Sequence, residues 1–188
     1  MWPWGHLAAG YLVYTLAVRG RSGRAPGDWP VLVALFATQV PDLVDKPLAW
    51  TLSVLPSGRS LAHSLPVAAL VLPAVWAVAA RRDARPLAGA FAVGYLSHLL
   101  TDALYPLLAL DFYHARFLAW PLVAPPAYEI EQSFLAHFAL VDFSPEFAFE
   151  LLLVAAASVA WHADGHPGLA TVRSWSGRVV RDVAGSES

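Results

Sequence analysis

Long apolar runs separated by short polar or proline-containing stretches dominate the first 163 residues of the chain. The runs are rich in Ala and Leu and do not alternate with polar residues, so their pattern predicts helices and no sheet. Pro and Gly mark the boundaries of five apolar segments. The segments are residues 7–18, 31–40 with a broken continuation past Pro41 to 55, 61–80, 86–105 and 147–163.

Segment length indicates which runs can cross a bilayer, because a spanning helix needs about 20 residues. Segments 61–80 and 86–105 meet that length, and segment 147–163 lies at its lower limit. The first two segments are shorter and could be tilted, re-entrant or interfacial. Pro106 is expected to end the fourth segment, since proline interrupts a helix. We therefore expect an all-α, polytopic membrane helical bundle with about 4–5 transmembrane helices.

Two stretches lie outside this pattern. Residues 111–146 form a mixed loop in which a short amphipathic helix is expected near 131–141. Residues 164–188 are polar and contain Gly and Ser, which predicts a flexible tail. The expected organisation is a membrane-embedded domain over 1–163 that carries the functional site, followed by a cytoplasmic tail over 164–188.

Composition supports the membrane assignment. Hydrophobic residues make up 57% of the chain and charged residues 14%, whereas soluble domains carry about 25% charged residues. The net charge of −2 argues against a nucleic-acid partner. The absence of cysteine excludes disulfides, thiolate nucleophiles and cysteine-ligated metals. The start of the sequence lacks a basic region, so the apolar segments are expected to act as the targeting signals.

The basic residues fall mainly on one side if all five segments cross with the N-terminus outside. Cytoplasmic loops are enriched in Lys and Arg, which fixes the orientation. The sequence thus predicts a multi-pass protein of the cell membrane, in contact with the lipid bilayer, with its C-terminus in the cytoplasm. Nine of the 12 basic residues then lie inside, namely Arg19, Arg21, Arg24, Arg81, Arg82, Arg85, Arg173, Arg178 and Arg181.

Several ionisable residues interrupt the apolar segments, where a charge costs about 2.5–3.5 kcal/mol and usually marks a functional site. His98 and Asp102 lie one helical turn apart, which lets them hold one divalent metal or simply hydrogen-bond to each other. The predicted topology puts further candidates on the same outer side. These candidate metal ligands or partners are His6, Asp42, Asp45 and His63.

Other polar residues are weaker candidates. Arg59 could clamp a phosphate or contact a lipid headgroup. Glu150 enters the last apolar segment and could face the interior. The remaining histidines have no spaced partner and are expected to be solvated; they are His114, His137, His162 and His166.

Short motifs in a fixed order give the chain a family resemblance. They are Trp-Gly-His near the start, Pro-Asp-x-x-Asp, Gly-Arg-Ser-x-x-His-Ser and Ser-His-x-x-x-Asp. In this order the chain resembles the YdjM-type membrane-bound, metal-dependent hydrolases, also described as LexA-binding inner-membrane proteins. That family usually has His-Arg before the His-Ser step, and here Gly58-Arg59 stands instead.

A more distant similarity is to the zinc-dependent phospholipases C and single-strand nucleases, which are all-helical and bind a zinc cluster. The order of His6, Asp42 or Asp45, His63, His98 and Asp102 matches their ligand order. Trp4 is not N-terminal as in those enzymes, and ligands for a third zinc have no clear match. The similarity implies one or two ions.

Together these observations predict a membrane-bound, metal-dependent hydrolase of a phosphoester, either a small molecule or a lipid, at the outer side of the membrane. The cofactor would be a divalent metal, zinc by its mixed ligands. A metal or proton transporter and a structural or regulatory membrane protein are the alternatives. The expected metal ligands are His6, Asp42, His63, His98 and Asp102, with Asp45 as second-shell residue or general base and Arg59 against phosphate charge.

Overall fold

The computed structural model describes residues 1–127, 133–135 and 142–185, with backbone alone for 179–185, and the regular structure in these ranges is helical. A π-helical turn, Pro47–Thr51, follows α3, and a 3-10 turn, Arg116–Ala119, follows α6. The helices are α1 Pro3–Ser22, α2 Asp28–Ala37, α3 Val40–Lys46, α4 Leu65–Ala80, α5 Arg85–Leu108, α6 Phe112–Ala115, α7 Pro145–Ala163 and α8 Leu169–Gly185.

The third apolar segment forms a shorter helix than its sequence predicts. Residues 61–64 are not helical, and α4 begins at Leu65 because the Ser64 hydroxyl accepts a hydrogen bond from the N–H of Val67 at 3.2 Å. Residues 61–63, which precede the cap, instead belong to the loop that carries Arg59 and His63. A local cap, rather than hydrophobicity, sets where this helix starts.

The end of α5 and the C-terminal region also differ from expectation. Pro106 does not end α5, which continues to Leu108. A proline lacks the N–H donor but keeps its carbonyl, and that of Pro106 accepts from the N–H of Asp111 at 2.8 Å. The tail predicted to be flexible contains α8. The helix predicted near 131–141 lies largely outside the described residues.

The helix directions follow from a few contacts. His98 Nδ1 lies 2.6 Å from the Thr38 carbonyl oxygen just beyond α2, and a Cβ on Gly94 would meet the Ala34 backbone one turn earlier. Hence α2 and α5 run in the same direction. Gly5 faces Glu150 near the start of α1 and α7, and Arg19 pairs with an aspartate just after α7, so α1 and α7 also run parallel.

These directions give the bundle two distinct ends. The site end holds the start of α1, the end of α2, the loop before α4 and the end of α5. The arginine end holds the opposite termini, including the turn between α4 and α5. Its arginines are Arg19, Arg21, Arg24, Arg81, Arg82 and Arg85. The alternation of helix direction matches the segment parity expected from the sequence.

Two helices in the described part of the chain are long and apolar enough to be candidate membrane spans, by length and composition. They are α5, with half of its most apolar 18-residue window buried, and α7, with 11% of that window buried. The large apolar residues Leu152 and Val159 of α7 are about 70% exposed. The expected four to five spans therefore reduce to two candidates by this criterion, within an all-helical fold.

Candidate metal centre

The structure brings all seven sequence-predicted site residues together at the site end. They come from four separate parts of the fold, so the cluster depends on the tertiary arrangement. The contributors are His6 on α1, Asp42 and Asp45 on α3, Arg59 and His63 in the loop before α4, and His98 and Asp102 on α5.

Each of three buried imidazoles donates its Nδ1–H to a fixed acceptor. The Thr101 hydroxyl acts as an acceptor because it donates its own proton to backbone carbonyls of α5. Anchoring Nδ1 in this way fixes the tautomer and leaves Nε2 as a lone pair, which is the usual arrangement of metal-binding histidines. The pairs are His6 with Thr101 Oγ1 at 2.8 Å, His63 with Asp45 Oδ2 at 2.8 Å and His98 with the Thr38 carbonyl at 2.6 Å.

The Nε2 atoms converge with carboxylate oxygens on one point. His63 Nε2 lies 3.0 Å from His98 Nε2 and 3.4 Å from Asp42 Oδ1. Asp102 Oδ2 lies 3.5 Å from His63 Nε2 and 3.7 Å from His98 Nε2. These atoms are mostly acceptors facing acceptors, an arrangement that requires a proton or a cation between them.

His6 contributes a third lone pair nearby. Its ring stacks on that of His98 with centroids 3.8 Å apart. Its Nε2 lies 3.3 Å from Asp102 Oδ1, yet it has no hydrogen-bond partner within the described ranges and is buried. A buried polar atom without a partner is costly, which is consistent with a ligand atom.

Three cationic groups contact the carboxylates of the cluster. Arg59 makes a bidentate pair with Asp102, with Nε 2.8 Å from Oδ2 and Nη2 3.1 Å from Oδ1. The Met1 amino group also donates to Asp102 Oδ1 at 2.9 Å. Lys46 binds Asp42 Oδ2 at 2.7 Å, which leaves the other Asp42 oxygen facing the imidazoles.

Asp45 lies behind His63 rather than among the converging atoms. Its buried carboxylate accepts from the backbone N–H of Ser60 and of Ala62 at 2.8 Å each, as well as from His63 Nδ1. It therefore holds the loop and the imidazole in place. Gly58 contributes to this loop conformation because a Cβ at that position would lie only 2.8 Å from Trp50 Nε1.

The electrostatics outside the candidate spans favour a positive charge at the centre. Burial alone would raise the pKa of Asp42, but the hydrogen bond with His63 and the charge of Lys46 lower it well below its ordinary value. Burial alone would lower the pKa of His63, but its hydrogen bonds with Asp42 and Asp45 outweigh this and raise it. The field that attracts a proton to His63 also favours a cation.

The donor set fits a divalent metal. Two groups of three residues, sharing His98, have ligand atoms that lie within 4.8 Å of one another. Mixed imidazole nitrogen and carboxylate oxygen donors suit zinc, whereas manganese and iron are also bound by such sets. The groups are His6, His98 and Asp102, and Asp42, His63 and His98.

Several neighbours of the centre were weak or invisible in the sequence. Glu150 is 3% exposed and its carboxylate accepts from the Trp2 backbone N–H at 3.1 Å; its place in an apolar segment was the available signal. Thr101 is likewise a polar residue within an apolar segment. Thr38 acts through its carbonyl, which any residue supplies, so no sequence pattern could reveal it.

The other histidines in the described ranges make local pairs. His114 Nδ1 lies 2.6 Å from Asp111 Oδ2, with both side chains at least 40% exposed. His162 Nδ1 lies 3.0 Å from His166 Nε2. No spaced partner was expected for these histidines from the sequence, and the structure pairs each with a residue three or four positions away. His137 lies outside the described residues.

Fold and centre together define an all-helical protein with a buried histidine–aspartate cluster at one end of its bundle. The chain belongs to the YdjM inner membrane protein family, whose model matches residues 1–171. The matched range contains every residue of the cluster, and membership confirms both the family resemblance and a membrane location. Comparison with curated proteins and with solved structures finds no match.

Proposed function

We propose that this protein is a metal-dependent hydrolase that acts on phosphoesters at the membrane. One observation carries the proposal: three buried imidazoles with anchored Nδ1 atoms direct their Nε2 atoms toward two aspartates. A cluster built only for stability would be expected to satisfy its own lone pairs. In the described part of the chain, His6 Nε2 has no hydrogen-bond partner, and it lies 3.3 Å from Asp102 Oδ1.

The distances among these side chains support one division of the ligands. His63, His98, Asp42 and Asp102 would hold one ion, and His6 together with Asp102 would contribute to a second. A bound divalent ion supplies Lewis-acid polarisation of the substrate oxygen and makes water more acidic. Mixed nitrogen and oxygen ligands favour zinc.

Arg59 and Asp45 support this centre in different ways. The Arg59 side chain is 32% exposed while it grips Asp102, so it can orient that ligand and also meet an anionic group arriving from the rim. Of the two roles expected for Asp45, a residue behind the ligands or a general base, we favour the first, in which it positions His63, because backbone and imidazole donors occupy its carboxylate.

A lipid phosphoester is the substrate we favour over a soluble one. The segments around the site end expose large apolar side chains, including Leu52 at 62%, Leu110 at 73% and Phe112 at 67%. Such side chains suit the membrane interface rather than water. A headgroup phosphate at that level would lie close to Arg59.

Activity should be tested with metal-replete protein on soluble phosphomonoesters, soluble phosphodiesters, phospholipids and carboxylic esters. We expect phosphoester turnover that falls at least tenfold in Arg59→Ala, with metal content unchanged. Arg24→Ala, an exposed arginine at the opposite end, is the matched control and should retain turnover. Metal-replete protein that turns over no phosphoester but moves ions across liposomes would contradict the hydrolase proposal and favour a transporter.

The orientation we propose places the N-terminus and the site end outside and the C-terminus in the cytoplasm, as the positive-inside rule favours. Because the chain lacks cysteine, single cysteines can report it. In intact cells an impermeant maleimide should label Ser53→Cys, at an exposed position of the site end, and should spare Ser22→Cys and Ser176→Cys. Labelling of residue 176 with sparing of residue 53 would reverse the orientation.

A further inference from the structure

The last helix, α8, presents an apolar stripe next to basic residues. Val172 and Trp175 are three positions apart, hence on one side of the helix, and are 45% and 64% exposed. Arg173 and Arg178 are exposed on the remaining surface. Apolar side chains with a Trp on one side and arginines on the other are typical of a helix lying at a membrane surface.

The start of α8 is fixed at the arginine end of the bundle. The N–H of Gly168 donates to Asp28 Oδ1 at 2.7 Å, and the Thr171 hydroxyl donates to Asp28 Oδ2 at 3.3 Å. Asp28 is the first residue of α2. The helix therefore begins beside the start of α2 and the end of α7, at the level where the candidate span α7 ends.

This location adds a charge argument to the apolar stripe. Six further arginines lie at the same end of the bundle, and positive residues next to a membrane span are attracted to anionic lipids. A second protein would also bury an apolar stripe, but the stripe lies where a membrane-embedded bundle must meet headgroups. The basic neighbours match the negative charge of those headgroups.

We infer that α8 is a membrane-surface helix that inserts Val172 and Trp175 at the bilayer interface and binds anionic headgroups through Arg173 and Arg178. The helix would thereby anchor the arginine end to the adjacent leaflet, which is the inner one in the orientation proposed above. This inference is independent of the hydrolase proposal, because it uses no residue of the metal centre.

The experiment compares two spin-labelled single-cysteine variants, Val172→Cys and Ser174→Cys, in the otherwise cysteine-free full chain. Residues two apart lie about 200° apart around a helix, so these labels sample opposite sides. The protein is reconstituted in vesicles of phosphatidylcholine alone or of phosphatidylcholine mixed with about 30% of the anionic lipid phosphatidylglycerol. Collision rates with oxygen, which partitions into lipid, and with a water-soluble nickel chelate are measured by electron paramagnetic resonance.

We expect the oxygen-to-nickel collision ratio to be severalfold higher at residue 172 than at residue 174. The difference should increase with phosphatidylglycerol, and Arg173→Gln with Arg178→Gln should remove that increase. Equal exposure of both labels to the nickel chelate would overturn the inference. Shielding of residue 172 from both reagents would also overturn it, since that result indicates a protein contact.

Discussion

Two aspartates with buried side chains, one at each end of the bundle, both pair with an arginine but differ in the other groups that surround the carboxylate. At the arginine end, Asp164 accepts from the Tyr11 hydroxyl and the Thr15 hydroxyl at 2.6 Å each, and from Arg19 Nε at 2.8 Å. Those neighbours all donate to the carboxylate. At the site end, Asp102 accepts from Arg59 and from the Met1 amino group, but it also faces imidazole Nε2 atoms that carry lone pairs.

The difference separates a structural contact from a ligand site. A carboxylate surrounded by donors is satisfied by the protein itself and ties α1 to the end of α7. Where a carboxylate also faces imidazole lone pairs, acceptor opposes acceptor, and a cation or a proton between them completes the surroundings. The presence of an Asp–Arg pair therefore says little, and the balance of donors and acceptors around it identifies the function.

The largest effect on stability is expected from removing the donor-surrounded carboxylate. Asp164→Ala leaves the buried hydroxyls of Tyr11 and Thr15 without their acceptor and should lower the free energy of unfolding by ~3 kcal/mol, since hydrogen bonds to a charged group are worth more than neutral ones. Unfolding in detergent measures this loss.

The matched control is Asp111→Ala, which removes an exposed carboxylate paired with an exposed histidine. It should lower the free energy of unfolding far less than Asp164→Ala, because this exposed carboxylate only caps the four-residue helix α6 and pairs with His114. Metal content should be retained in both variants. Loss of metal on changing Asp164 would mean that the two ends are not separate in function.

An intermediate effect is expected where α5 approaches α2. A Cβ at Gly94 would overlap the Ala34 carbonyl and lie 3.0 Å from the Ala37 Cβ, so Gly94→Ala should cost ~1–3 kcal/mol by overpacking. It should also weaken metal binding, because it moves His98 away from the Thr38 carbonyl. Parallel measurements of unfolding and metal affinity test both effects.

Gly89→Ala provides the comparison on the same helix, because a Cβ there meets nothing within 4 Å. It should stabilise the helix by up to ~1 kcal/mol, as alanine is the better helix former. Equal destabilisation by the two substitutions would show that helix contact at Gly94 is not the cause.

The smallest effect is a pH dependence at the arginine end. Burial alone would raise the pKa of Asp164, but hydrogen bonds from Thr15, Tyr11 and Arg19 outweigh it and lower the pKa. The stability that this carboxylate contributes is thus complete above its unfolded pKa of ~3.9 and is lost as pH falls through the lower folded value. The stability difference between wild type and Asp164→Asn should shrink below about pH 4. A constant difference down to pH 3 would contradict this assignment.

The sequence predicted the helical class and the residues of the cluster for identifiable physical reasons. One-turn spacing linked His98 to Asp102, and segment parity placed His6, Asp42 and His63 at the same end. These signals depend on side-chain identity and periodicity, which the sequence contains directly.

Other features depend on contacts that a sequence does not display. The start of α4 is set by one hydroxyl of Ser64, and the tautomer of His98 is set by a backbone carbonyl. The position of Asp45 behind His63 follows from the path of a loop rather than from any motif. Similarly, the sequence predicted that Asp164 belongs to a polar tail, whereas in the structure its carboxylate contacts α1.

The metal content of the purified protein tests the central claim most directly. Wild type should retain at least one divalent ion per chain, and His98→Ala and Asp102→Asn should each lose most of it, since each loses a ligand atom. His114→Ala, which changes an exposed histidine paired with Asp111, should bind as much metal as wild type. Equal metal content in all four proteins, or none in wild type after metal supplementation, would contradict a metal centre at the site end.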